Sequence, residues 1–269
     1  MSADRGCHTD WAGVEHTPAG PDARIACLVP SLTELLFALG LGPQVVARTG
    51  FCVHPPEAKR VAKVGGTKDP DLARLRELAP THLVVNVDEN RREVVDAARA
   101  FVPHVIVTHP MAPADNARLF ALFGALFDRA RAADRLAAQL DAALAAAGTV
   151  ARELPREDVL YVIWRKPWMT VSRDTYVGAT LAHVGWDTVP ERAAQRYPEV
   201  ADDGAPWRDA RRILLSTEPY AFRARDVDAL ARRWRKPVHL VDGEWTSWYG
   251  VRAIAGLTAL ANLRASLAA

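Results

Sequence analysis

Apolar residues along the chain fall into short continuous runs that alternate with stretches of helical spacing. The first run, residues 25–29, is followed by Pro30 and then by leucines that recur every three or four residues as far as Gly40. Ser31 and Glu34 have the spacing of a capping box, in which a hydroxyl and a carboxylate satisfy free N–H groups at the start of a helix. This pattern predicts a strand, a tight turn and a helix.

The same alternation continues to residue 108. It predicts strands over 45–49, 82–87 and 104–108, and helices over 71–78 and 90–100. Strands that alternate with helices form mainly parallel sheets with helices packed on both faces. The first part of the chain is therefore predicted to be an α/β lobe.

Residues 115–152 have a different pattern: they are rich in alanine, carry leucines at helical spacing and contain no proline. They predict a long helical segment, which could divide near Gly124 and Asp128. A second alternation follows, with strands over 159–164, 213–216 and 238–241, and helices over 176–184, 226–234 and 251–267. The predicted fold class is α/β, with two Rossmann-like lobes of mainly parallel sheet joined by a long backbone helix.

The predicted domains follow from this order of elements. They are a flexible lead segment (1–23), an N-terminal α/β lobe (24–114), a linking helical segment (115–152) and a C-terminal α/β lobe (153–269).

Charge and composition narrow the function classes. The 34 Lys and Arg residues nearly balance the 32 Asp and Glu residues, so a nucleic-acid partner is not expected. No run of apolar residues is long enough to span a bilayer, so membrane insertion is not expected either. Charged residues interrupt the first twenty positions, where a secretory signal would be apolar. Together with three cysteines at 7, 27 and 52, this favours a cytoplasmic protein with reduced thiols.

Several ordered segments resemble one known family. They are PSLTELLFALG (30–40), HPPEA (54–58), KVGGTKDPDLARLRELAPTHLVV (63–85), the helix near 130–152 and WRKPWMTVSRDTYVGATLAHVGW (164–186). From about residue 24 onwards, the chain is similar to the substrate-binding proteins of vitamin B12 and iron–siderophore ABC transporters. These are the class III periplasmic binding proteins, or helical backbone metal receptors.

The resemblance implies a function. A non-catalytic protein of this kind would hold a small-molecule metal chelate in a cleft between its two lobes, with no tightly bound cofactor. The chelate would be a corrinoid such as cobalamin, or a ferric siderophore, with haem as a further candidate. Two family features are missing: an export signal, and the paired surface acids that a transporter's arginines grip, expected near Ala73 and Ser247. The resemblance therefore points to a cytoplasmic member, and transporter docking is not expected.

Ligands of parallel α/β sheets sit beyond the carboxyl ends of the strands, which selects candidate residues. Phe51 and His54 follow the second predicted strand, and in the family this loop carries aromatic ligand contacts. His54 could bind the metal of a chelate as a neutral imidazole. A lone histidine before two prolines also fits a purely structural role.

Asn86 and Glu89 follow the next predicted strand. Their side chains could hydrogen-bond a ligand in the cleft. The same stretch opens a predicted helix, so Asp88 and Asn90 are alternatively helix caps, with Glu89 placed at the positive end of the helix.

The remaining candidates lie in the C-terminal lobe, where seven of the eight tryptophans fall. Trp168, Trp245, Trp248 and Tyr249 stand on predicted loops after strands, where indole rings would suit a large flat ligand. Arg165 also follows a strand and could bind a carboxylate or phosphate. Alternatively, the indoles pack in the core of the lobe and Arg165 is an ordinary solvated charge.

Motifs for catalysis or for a bare metal ion are lacking. The eight histidines are scattered, and no HExxH, GxSxG, Walker or GxGxxG pattern occurs. The prediction is that the protein is not an enzyme. Two rivals remain open: an enzyme that modifies or metallates a tetrapyrrole, with Glu89 and His54 as the proposed acid–base pair, and an adaptor with a vestigial cleft.

Overall fold

A computed structural model describes residues 8–268 of the chain. Cys7 and the first residues of the predicted lead segment lie outside this range. The chain divides into two compact units. Unit 1 contains the chain up to Pro110, Asp115–Gln139 and Tyr249–Val251, and unit 2 contains Met111–Ala114, Leu140–Trp248 and the chain from Arg252 onwards.

Unit 1 is built on a five-stranded parallel sheet with the strand order β3-β2-β1-β4-β5. Its strands are β1 (Ile25–Cys27), β2 (Val45–Arg48), β3 (Ala62–Lys63), β4 (His82–Asn86) and β5 (His104–Thr108). Its helices are α1 (Pro30–Ala38), α2 (Leu72–Glu77), α3 (Arg92–Arg99) and α4 (Asn116–Leu126). The central strand β1 is wholly buried, as expected when crossover helices cover both faces of a parallel sheet.

The start of α1 corrects one prediction. The helix begins at Pro30, with Val29 at the N-cap position and no side chain capping it. Ser31 and Glu34 therefore stand inside the helix, and the predicted capping box is absent because the helix, with proline at its first position, starts two residues before the point that this box requires. The predicted end holds: the chain leaves the helix through Gly40, whose φ of +77° suits glycine.

The alternative that Asp88 and Asn90 cap α3 is also wrong. Arg91 is the N-cap residue and its side chain makes no capping bond. The Oδ1 atom of Asn90 instead accepts the backbone N–H of Asn86 at 2.8 Å. Asn90 thus closes the turn after β4, and the helix starts two residues later than its sequence pattern indicates.

Residues 8–23, which composition predicts to be a flexible lead, make specific contacts within unit 1. The N–H of Trp11 donates to the carbonyl of Val107 at 3.0 Å, and the N–H of Val107 donates to Asp10 Oδ2 at 2.9 Å. Asp10 is only 1% exposed, and the same oxygen lies 3.1 Å from His16 Nε2. Hydrogen bonds therefore hold this stretch on the outer edge of β5.

The predicted helical stretch divides where the sequence allowed it to. α4 ends at Leu126, and α5 (Ala130–Glu153) follows after Asp128, which has a φ of +53°. Gly124 permits this corner, since a Cβ there would lie 2.5 Å from the Cβ of Ala133. α5 carries the chain from unit 1 into unit 2.

Unit 2 has its own five-stranded sheet, ordered β10-β9-β6-β7, with β8 also paired to β6. Its strands are β6 (Glu157–Trp164), β7 (Met169–Thr170), β8 (Trp186–Thr188), β9 (Arg212–Ser216) and β10 (Val238–Val241). Its helices are α6 (Tyr176–His183), α7 (Ala205–Asp209), α8 (Ala224–Trp234), α9 (Gly243–Ser247) and α10 (Arg252–Ser266). β7 is the antiparallel member and the other pairings are parallel.

The predicted fold class is confirmed: each unit is an α/β layer structure with a mainly parallel sheet, and a long helix connects them along the chain. β3, β7, β8, α7 and α9 have two to five residues each and were not predicted, because elements this short show no periodicity. None of the helices within residues 8–268 is long and apolar enough to span a bilayer.

Candidate functional site

Exposed apolar side chains mark the carboxyl edge of each sheet. Within residues 8–268, the exposed large hydrophobic residues are Val14, Phe51, Val53, Val87, Trp164 and Leu240. Four of these six stand at or just after the carboxyl end of a strand: two follow β2, one follows β4 and one ends β6. This is the edge at which parallel α/β sheets bind ligands.

The loop after β2 turns Phe51 outward. Its N–H donates to Thr49 Oγ1 at 3.3 Å, and the N–H of Cys52 donates to the carbonyl of Thr49 at 3.3 Å. This tight turn leaves the Phe51 ring 63% exposed while Cys52 is buried. His54 follows on the same loop and is half-buried. Phe51 is therefore available to a ligand at this edge.

Asn86 serves the turn after β4. Its Oδ1 accepts the N–H of Asp88 at 2.8 Å, and its Nδ2 donates to Thr108 Oγ1 at 3.3 Å. The side chain is 3% exposed. The polar groups of Asn86 thus stabilise the loop that carries Val87 and Glu89, which is the structural alternative to a direct ligand contact.

Glu89 and Tyr249, predicted from distant parts of the sequence, come together in unit 1. The Tyr249 hydroxyl donates a hydrogen bond to Glu89 Oε1. Tyr249 is 6% exposed. Burial, followed by the neighbouring Glu89 carboxylate, raises the pKa of the Tyr249 phenol well above its usual value. The phenol is therefore a permanent donor at neutral pH, and it fixes the Glu89 carboxylate at the carboxyl edge.

Arg165 and Trp168 come together at the edge of unit 2. Arg165 Nη1 lies 3.0 Å from Asp226 Oδ1, and its guanidinium lies 5.4 Å from the centre of the Trp168 ring. The Trp168 ring stacks on Phe222, and its Nε1 donates to Asp202 at 2.6 Å. Trp168 also packs against the core of unit 2. Trp168 therefore packs in the core of unit 2, as one alternative held. It also stays partly exposed, which a ligand contact would need.

Trp245 and Trp248 belong to the short helix α9 and its C-cap, and not to an irregular loop. Asp242 caps this helix by accepting the N–H of Glu244 at 3.0 Å. Trp245 lies within the helix, and Trp248 is its C-cap residue. Both indoles are half-buried. The sequence suggested a loop because five residues are too few to show helical spacing.

Glu218 is the residue of this edge that the sequence analysis missed. It follows β9, and its Oε1 accepts the hydroxyl of Ser247 and the indole N–H of Trp248, both at 2.9 Å. Burial, then Glu244 and Asp242, raise the pKa of Glu218, while the two hydrogen bonds act in the opposite direction. Its place directly beyond a parallel strand was the available signal.

The geometry suits binding by shape, stacking and hydrogen bonding. The structure brings together Glu89 with Tyr249, Arg165 with Trp168, and Trp248 with Glu218. Within residues 8–268 there is no group of three or more His, Cys, Asp or Glu side chains placed to hold a metal ion.

Residues 25–234 match the family model described as periplasmic binding protein. The vitamin B12-binding protein of Photorhabdus laumondii subsp. laumondii is 26% identical over 95 residues, which make up 35% of this chain. The match spans about a third of that relative, 34% of its length.

Two solved structures show the same fold over nearly their whole length. The periplasmic vitamin B12 binding protein BtuF of Vibrio cholerae has a TM-score of 0.79 at 17% identity, covering 91% of this chain and 98% of that one. The periplasmic heme-binding protein RhuT from Roseiflexus sp. RS-1, in its apo form, has a TM-score of 0.76 at 24% identity, covering 92% and 100%. At these identities the likeness establishes the fold.

Proposed function

The chain belongs to the periplasmic binding protein family, and we propose that it binds a metal chelate without transforming it. The relatives described above are named for binding vitamin B12 or haem. The ligand class proposed here is accordingly a corrinoid, with haem and ferric siderophores as the competing chelates. In each unit, the ligand-binding surface is the set of loops at the carboxyl edge of its sheet.

One observation carries this proposal: most of the exposed large apolar side chains stand at those edges. Phe51 is the clearest case, because it is 63% exposed. Contact between its apolar surface and water is unfavourable in free energy, and a bound ligand would cover that surface. Trp164, at the end of β6, is 38% exposed. A flat macrocycle with an apolar face is the type of ligand that aromatic rings at a strand edge would accept.

The polar groups at these edges support binding rather than catalysis. The Glu89 carboxylate is engaged by the Tyr249 phenol, and the Glu218 carboxylate by Ser247 and Trp248. Catalytic acids and bases need a proton path to a reacting atom, whereas the carboxylate oxygens named here hold neighbouring side chains in place. The alternative that the protein is an enzyme predicts turnover of the bound chelate, which a change in the chelate's mass would reveal.

The test is isothermal titration calorimetry of the protein with cyanocobalamin, with ferric protoporphyrin and with a ferric siderophore. We expect one chelate to bind at micromolar affinity or better. Phe51→Ala should weaken that binding about tenfold, because burying a phenyl ring contributes about 1.5 kcal/mol or more. Val14→Ala is the matched control, since Val14 is an exposed apolar residue away from the strand ends.

Three results would count against the proposal. If no chelate binds below millimolar concentration, the adaptor reading replaces it. If Phe51→Ala and Val14→Ala both bind as the wild type does, the carboxyl edge of unit 1 is not the binding surface. If the chelate recovered after incubation has a changed mass, the protein is an enzyme acting on it.

The place of action and the partners are part of the proposal. We propose a cytoplasmic protein, a view supported by Cys27 and Cys52, which are buried thiols without a disulfide. We also propose that it does not dock a transporter through paired acids, because Ala73 and Ser247 stand where such acids would be. Fractionation of the native host tests the location, and recovery from the periplasm would contradict it.

A further inference from the structure

Glu218 occupies a fixed position at the carboxyl edge of unit 2. Its side chain lies over Gly243: a Cβ on that glycine would come 2.3 Å from Glu218 Cγ and 3.0 Å from its backbone nitrogen. The Oε1 atom accepts the Ser247 hydroxyl and the Trp248 indole N–H. Packing on one side and two hydrogen bonds on the other leave the carboxylate little freedom.

The second oxygen of this carboxylate is available to a ligand. Of all the donors in residues 8–268, none hydrogen-bonds Oε2, and this oxygen does not belong to the buried unpaired polar atoms. An ionised carboxylate accepts hydrogen bonds and donates none. Oε2 therefore offers an incoming ligand one strong acceptor beside the Trp248 ring.

The surroundings of Glu218 are acidic overall. Asp242 and Glu244 follow the neighbouring strand β10, and the Arg252 guanidinium lies 2.8 Å from Glu244 and 5.2 Å from the centre of the Trp248 ring. Asp242 and Glu244 act with burial to raise the pKa of Glu218, and no cation is among the causes of that shift. Three carboxylates against one guanidinium make this edge unfavourable for an anionic ligand group.

This charge pattern separates the two chelate classes that the relatives bind. A corrinoid carries primary amides around its ring, and their N–H groups are donors. Haem carries two propionate carboxylates, which would meet Glu218 as like charges. The charged group that would favour haem is Lys166, which is exposed beyond β6, whereas Arg165 is already paired with Asp226.

We propose that Glu218 is a specificity-determining residue, which anchors Trp248 through one oxygen and selects an amide-rimmed corrinoid over a carboxylate-rimmed haem through the other. The inference rests on the proposed function, because it assumes that a chelate binds at this edge. Beyond that function, it specifies which chelate is preferred and which residue determines the preference. Its signature is a change in preference, which a purely structural carboxylate would not produce.

The experiment compares cyanocobalamin with its monocarboxylic acids, in which one ring amide is hydrolysed, and with ferric protoporphyrin. Wild type should bind cyanocobalamin at least about tenfold more tightly than one of the monocarboxylic acids and than the porphyrin. Glu218→Gln keeps an oxygen that can accept the Ser247 and Trp248 hydrogen bonds, but it removes the charge. It should bring these affinities within about threefold of one another.

The matched control is Glu153→Gln, which removes the same charge from an exposed side chain at the end of α5 and should keep the wild-type preference. Several results would overturn the inference while the proposed function stands: equal binding of the amide and acid forms by wild type, tighter binding of the porphyrin, or an unchanged preference in Glu218→Gln. If wild type binds no chelate at all, both the inference and the proposed function fail.

Discussion

At the scale of single residues, the surroundings of His82 in unit 1 oppose the protonation of its imidazole. His82 stacks on His104 with 4.7 Å between ring centres, and its Nδ1 lies 2.8 Å from Thr81 Oγ1. Phe127 packs edge-on against the same imidazole. Burial, then the charges of His104 and His16, lower the pKa of His82 to about 4. The folded protein therefore keeps this imidazole neutral.

The expected result is a loss of stability in mild acid. Since the pKa of His82 is lower in the folded state than its ordinary 6.5, the unfolded chain binds the proton first as the pH falls. Stability is complete above about pH 6.5 and should fall by roughly 2 to 3 kcal/mol towards pH 4. Urea unfolding between pH 7.5 and 4.5 measures this. His82→Gln should flatten the dependence, and an unchanged slope would contradict the account.

At the scale of elements, side chains that no periodicity reveals decide where helices begin. Thr175 caps α6: its Oγ1 accepts the N–H of Gly178 at 3.0 Å and donates to the carbonyl of Ser172 at 2.8 Å. The same positions explain why Gly178 is small, since a Cβ there would lie 2.5 Å from the Ser172 carbonyl oxygen. The turn before α6 and the first turn of the helix are thus one packed unit.

Removing this cap should destabilise unit 2 measurably. Thr175→Ala is expected to lower the free energy of unfolding by about 1 kcal/mol, because an N-terminal N–H of the helix loses its acceptor. Thr175→Ser keeps the hydroxyl and should cost much less. Chemical denaturation of the two variants makes the comparison. Equal losses in both would mean that the methyl group of Thr175, and not its hydrogen bonds, stabilises the turn.

Elements also show how far sequence reasoning could reach. The longer strands β4, β5 and β10 and the helices α6 and α10 were predicted to within two residues, because buried runs and helical spacing are strong signals over that length. The starts of α1 and α3 were each misplaced by two residues, since the capping side chains that sequence rules favour are not used there. The helix α9 was not predicted, and Trp245, which lies within it, was therefore assigned to a loop.

At the scale of the whole molecule, the alternation of elements was enough to predict two α/β units, whereas the loops that the edge rule selects for ligand binding stay a prediction. On these loops Phe51 is exposed, and the Glu89 carboxylate contacts the Tyr249 hydroxyl. Glu218 could not be ranked from the sequence, because its importance comes from Ser247 and Trp248, some thirty residues away. Contacts between distant segments are what the fold adds to the pattern.

The central claim, that this family member holds an intact metal chelate, is tested most directly by a native mass spectrum of the protein mixed with an excess of cyanocobalamin. The account predicts a one-to-one complex whose added mass equals that of unmodified cyanocobalamin. A spectrum containing only the bare chain, or a complex with a ligand of altered mass, would contradict it.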